Sequence, residues 1–107
     1  MSTLERALTI AATAHAGQKE RNGSPYILHP IRVMLAVSTP VEQMAAVLHD
    51  VVEDAAVTLV QLRDEGFPAE VLEAVDLLTH DAAEPYLDYV RRVGTQPVAR
   101  AVKMADL

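Results

Sequence analysis

A chain of 107 residues suits one compact domain. Half of it is hydrophobic and 22% charged, with one Phe, three Tyr and no Trp, so the composition is globular and the expected core aliphatic. A formal charge of −6 argues against a general nucleic-acid binder, the lack of Cys excludes disulfides and thiolate metal sites, and no apolar run approaches the ~18 residues that span a bilayer. With no signal-peptide pattern at the N-terminus, the expectation is a soluble cytoplasmic protein with neither nucleic-acid nor membrane partners.

In chain order, Ser2-Thr3-Leu4-Glu5 reads as a capping box. It opens a helix with Leu4, Ala7, Leu8, Ala11, Ala12 and His15 on one stripe, closed by Gly17. Residues 18–28, QKERNGSPYIL, read as a loop, because Asn22-Gly23 is a turn dipeptide and Ser24 precedes a proline. His29-Pro30 opens a short helix with Pro30 at its first position and Ile31, Met34 and Leu35 on one face. Thr39-Pro40-Val41-Glu42 is a second capping box, starting a helix through Met44, Val47 and Leu48 into His49-Asp50. Thr58-Leu59-Val60-Gln61 is a third, and its helix stops at Gly66. Pro68 starts a helix carrying Val71, Val75 and Leu78. Pro85 starts one through Leu87 and Val90 to Gly94, and Pro97 a last one with Val98, Ala101, Val102 and Ala105 inward. About seven short helices and no convincing strand predict an all-α bundle in which sequential helices are neighbours.

The chemistry concentrates in AAVLHDVVEDAAVT, residues 45–58. If the helix continues past Asp50, His49 and Glu53 are four apart, as are Asp50 and Asp54, so an imidazole and three carboxylates crowd one sector. Such a cluster repels itself at neutral pH, and a divalent cation such as Mn²⁺, Fe²⁺ or Zn²⁺ removes the conflict. His29 and Asp106 extend the set. Asp106 ends an otherwise apolar stripe, where a carboxylate is odd in a core and reasonable as a ligand. His29, His49, Asp50 and Asp106 would form a two-His, two-Asp site with positions open to water and substrate. Singly, each has a plainer reading: His-Asp is a common dipeptide, and His29 standing alone reads as a helix cap. His15 reads as a core histidine, His80 as a solvated loop residue and Asp64-Glu65-Gly66 as a helix end.

Together, His29, His49-Asp50 and Asp106, set in AHAGQKERNGSPYILHP, VLHDVVEDAAVT and VKMADL, resemble the HD-domain metal-dependent phosphohydrolases of the RelA/SpoT type, and within them the small alarmone hydrolases. The resemblance covers residues 4–107. It implies an all-helical domain binding one Mn²⁺ through those four residues and removing the 3′-diphosphate from ppGpp or pppGpp to leave GDP or GTP and pyrophosphate. It further implies that Glu53 and Asp54 orient or activate the attacking water, and that Lys19, Arg21 and Tyr26 contact the nucleotide.

Two departures from the family pattern bear on this. Glu20 separates Lys19 from Arg21, where the family has adjacent basic residues. The sequence of the single domain, 1–107, ends one residue after Asp106, so the family's substrate-contacting Asn four positions later is missing from it. Two alternatives therefore stand beside the alarmone hydrolase: an HD hydrolase of another phosphorylated nucleotide, and a non-catalytic metal- or nucleotide-binding module.

Overall fold

The computed structural model describes residues 3–54, 57–79 and 83–106. Seven helices run in order through them: α1 (Leu4–Ala14), α2 (Leu28–Leu35), α3 (Pro40–Asp54), α4 (Leu59–Asp64), α5 (Ala69–Leu78), α6 (Tyr86–Val93) and α7 (Pro97–Asp106). No strand occurs among the described residues; a single antiparallel bridge joins Lys19 to Pro25. The expected all-α architecture is what the structure has, and its radius of gyration of 12.9 Å matches the roughly 13 Å of a close-packed chain of this length.

The core is built around α3. Every residue from Met44 to Val51 is buried, so this helix has no solvent face along its middle, as befits a helix surrounded by others. It packs against α1, α2, α5 and α7. Ala7 and Ala11 of α1, Val71, Ala74, Val75 and Leu78 of α5, and Ala99 and Val102 of α7 complete an aliphatic interior. Ala7 and Ala11 present small side chains where α1 packs on α3, and Leu48 and Leu62 are among the largest fully buried side chains.

The capping boxes at Thr39 and Thr58 form as the sequence predicts. Thr39 Oγ1 accepts from the Glu42 amide at 3.2 Å, and Glu42 Oε1 accepts from the Thr39 amide at 3.0 Å. Thr58 and Gln61 reciprocate in the same way. The first cap differs: Thr3 Oγ1 accepts from the Arg6 amide at 3.2 Å, while Ser2 lies outside the described residues.

Three further expectations are corrected. Helix α2 begins at Leu28, so Pro30 is its third residue; the ring is tolerated there because the first four amides of a helix have no intrahelical acceptor. Its inner face is Pro30 and Val33, and Leu35 is 73% exposed. On α6, Tyr89 and Val93, four apart, take the inner face, leaving Leu87 and Val90 exposed. Finally, α1 packs on α3 across the long 15–27 connection, so sequential neighbours are only part of the packing.

Candidate functional site

The site lies where α2, α3 and α7 meet. His29 is in the first turn of α2, one turn before buried Val33, so it shares that helix's inward face. On α7, Ala99, Val102 and Asp106 are spaced three and four apart, which carries the buried stripe to the Asp106 carboxylate. His49 and Asp50 are both buried on α3. Three helices thus deliver the four candidate ligands to one place.

The distances confirm the convergence. His29 Nε2 is 2.8 Å from Asp106 Oδ1 and 3.9 Å from Asp50 Oδ2. His49 Nε2 is 3.1 Å from Asp50 Oδ1 and 3.8 Å from Asp106 Oδ2. Among the described residues no group of three or more His, Asp or Glu is arranged to hold a metal ion as it stands; the four groups pair with one another. Donors held at about 2.0–2.2 Å around one tetrahedral cation would sit roughly 3.3–3.6 Å apart, a spacing that these pairs bracket.

The donor chemistry fits a divalent cation. His49 Nδ1 lies 2.7 Å from the Ala46 carbonyl, which can only accept, so Nδ1 carries a proton and Nε2 faces the carboxylates. That is how a ligating histidine is oriented. Burial pushes the pKa of His49 down, yet its net direction is up, because Asp106, Asp50 and the Ala46 carbonyl all favour the charged ring. Burial likewise pushes Asp106 up, but His49, His29 and Lys103 outweigh it and hold its carboxyl below the usual range. The pocket therefore calls for positive charge, which either a proton or a metal ion supplies.

The remaining candidates divide. Glu53 is exposed, one turn beyond His49 and Asp50. Its charge, with that of Asp106, helps to raise the Tyr89 phenol. Asp54 closes α3, and its side chain lies outside the described residues, as does His80. Tyr26 joins the cluster, its hydroxyl donating to Asp50 Oδ2 at 2.7 Å. Lys19 and Arg21 are exposed on the first arm of a small hairpin closed by the Glu20 amide on Ser24 O (2.8 Å) and the Tyr26 amide on Gln18 O (2.9 Å). Gly23 turns it with φ +89°, a conformation that suits glycine. Glu20 pairs with Arg32 of α2, so the acidic residue between the two cations is engaged elsewhere.

Two residues that the sequence reading passed over interact electrostatically with Asp106. Tyr89 is buried, donates to the Leu78 carbonyl at 2.8 Å, and has its phenol pushed up to about 12 by burial, reinforced by Glu53 and Asp106. Lys103 lies 5.2 Å from that ring's centroid and three residues before Asp106. The i, i+3 spacing on α7 was the available signal for Lys103; Tyr89 offered none beyond being an aromatic four residues from Val93. His15 is buried, as expected, with Nδ1 3.0 Å from Gln18 Oε1.

Known proteins resemble this chain in sequence and fold. The family model described as "HD domain" matches residues 7–105. The mouse protein named guanosine-3′,5′-bis(diphosphate) 3′-pyrophosphohydrolase MESH1 is 35% identical over an alignment covering 96% of this chain and 64% of the relative. A Streptomyces coelicolor protein named GTP pyrophosphokinase is 42% identical over 96% of this chain and 14% of the relative. A solved structure, titled as a metazoan ortholog of SpoT that hydrolyzes ppGpp and plays a role in starvation responses, superimposes with a TM-score of 0.80 at 26% identity, covering 99% of this chain and 66% of that one. The chain spans only 10–11% of the length of other bacterial relatives that it matches.

Proposed function

Because the chain belongs to the HD domain family, we propose that it is a Mn²⁺-dependent hydrolase that removes the 3′-diphosphate of ppGpp or pppGpp, giving GDP or GTP and pyrophosphate. The observation that carries the reading is the meeting of His29, His49, Asp50 and Asp106 from three helices, with pair distances of 2.8–3.9 Å. The printed names of similar proteins support the substrate.

In this reading the four residues hold one divalent ion. Such an ion supplies a nucleophile near neutral pH and neutralises charge on phosphoryl oxygens. Glu53 or Asp54, at the end of α3, takes the proton of the attacking water as its oxygen bonds to phosphorus; the bond from that phosphorus to the ribose 3′-oxygen breaks, and the 3′-oxygen takes up a proton to leave as the hydroxyl. Lys19 and Arg21 offset the negative charge of the nucleotide, and Glu20, held by Arg32, does not compete for them. Lys103 adds a cation on the α7 side. No helix among the described residues is long and apolar enough to cross a membrane; in this reading a nucleotide substrate supports a cytoplasmic reaction.

Asp50→Ala tests the assignment. It should abolish Mn²⁺ binding in a metal titration and ppGpp hydrolysis together. Full activity in that variant would overturn the site.

A further inference from the structure

We propose that Tyr26 is a positioning residue that sets Asp50 and His29 for metal capture, rather than a group that contacts the nucleotide; the inference rests on the four-ligand reading above. Its hydroxyl donates to Asp50 Oδ2 at 2.7 Å, leaving Oδ1 of the same carboxylate toward His49 Nε2 at 3.1 Å. Its ring also packs beside His29, with centroids 5.8 Å apart and planes tilted by 46°. One side chain therefore touches two candidate ligands from different helices and fixes both rotamers.

Tyr26 is itself held from the other side. The His15 ring lies 4.8 Å from it, tilted by 53°. His15 caps the C-terminal end of α1 through its amide on Ala11 O at 2.9 Å. Gln18 closes the arrangement, with its side chain on His15 Nδ1 at 3.0 Å and its carbonyl accepting the Tyr26 amide at 2.9 Å. The buried His15 ring, inclined against the phenol, forms a wall for Tyr26. An isolated buried carboxylate can turn about its last torsion; one that accepts a phenol hydrogen bond presents a fixed oxygen to the centre. Partners that orient ligands in this way typically change metal affinity by about 10–100-fold when removed.

The test is Mn²⁺ titration of Tyr26→Phe, which keeps the ring against His15 and His29 and removes only the hydroxyl. Metal affinity should fall about 10-fold or more, with KM for ppGpp at saturating Mn²⁺ unchanged. His15→Leu, which removes the wall and leaves the hydroxyl, should weaken the metal in the same direction by less. Unchanged Mn²⁺ affinity in both variants would overturn the proposal, as would a raised KM in Tyr26→Phe with metal affinity intact, which would make Tyr26 a nucleotide contact. Asp50→Ala measured alongside separates the two levels. If it loses the metal while Tyr26→Phe does not, only the positioning role fails. If Asp50→Ala itself binds Mn²⁺ as the parent does, the ligand assignment fails.

Discussion

His49 Nδ1 donates to the carbonyl of Ala46, 2.7 Å away on its own helix, and this leaves Nε2 3.1 Å from Asp50 Oδ1. The neighbouring carboxylates hold the imidazole's pKa above its ordinary value despite burial. A proton on Nε2 occupies the place a cation would take, so proton and metal compete. A raised pKa means that the ring is charged to a higher pH than usual. Mn²⁺ affinity should therefore fall on acidification, by about tenfold per pH unit once His49 is protonated, and level off above its pKa. Calorimetric titrations across pH, in buffers of different ionisation enthalpy, should show a proton released per metal bound below that point. Affinity independent of pH would contradict this account of His49.

Glu53 carries a second expectation. It is exposed, one turn past the ligands on α3, and its charge is felt by Tyr89 beside Asp106. Glu53→Gln keeps shape and removes the base, so Mn²⁺ should bind as before while kcat falls by about 10²–10⁴. Loss of the metal in this variant would show Glu53 to be a ligand.

The helix bearing His49 and Asp50 depends on its first turn. Thr39 Oγ1 accepts from the Glu42 amide, and Glu42 accepts from the Thr39 and Ser38 amides at 3.0 and 3.2 Å. These bonds, Thr39's first, hold the Glu42 carboxyl below its ordinary pKa against a slight opposing effect of burial. The contribution of Glu42 is therefore present above the unfolded carboxylate range and lost as pH falls through the folded value. Thr39→Ala should cost about 1 kcal/mol, which for a domain near this size lowers Tm by about 4–8 °C. An unchanged thermal midpoint at neutral pH would count against the box as a stabilising feature.

Leu48 precedes the ligand pair and is fully buried among residues of the central helix and its neighbours. Leu48→Ala should destabilise the protein by about 2–5 kcal/mol in denaturant titration, through lost apolar burial and the cavity left behind. A cost below 1 kcal/mol would mean that the surrounding helices close over the gap.

Local chemistry made much of this fold legible. The boxes at Thr39 and Thr58 are self-contained within four residues, so residue type and spacing suffice to recognise them. The α2 start was not legible, because Ile27 caps it with no side-chain bond and Pro30 sits harmlessly in the first turn. The outward turn of Leu87 and Val90 depends on which face of α6 meets its neighbours, a tertiary choice that an eight-residue helix leaves open. At the site, residue types nominated His29, His49, Asp50 and Asp106, and spacing along α7 explains how Asp106 arrives. The Tyr26–Asp50 bond was not legible: it joins residues 24 apart, one in the hairpin before α2 and one on α3.

The central claim is that this chain hydrolyses the 3′-diphosphate of a guanosine alarmone with a metal held by His29, His49, Asp50 and Asp106. Product analysis after incubating the pure protein with ppGpp, in Mn²⁺ and in EDTA, tests it most directly. The account predicts GDP and pyrophosphate in equal amounts with Mn²⁺ and none with EDTA. Intact ppGpp in the presence of a stoichiometrically bound Mn²⁺ ion would contradict it.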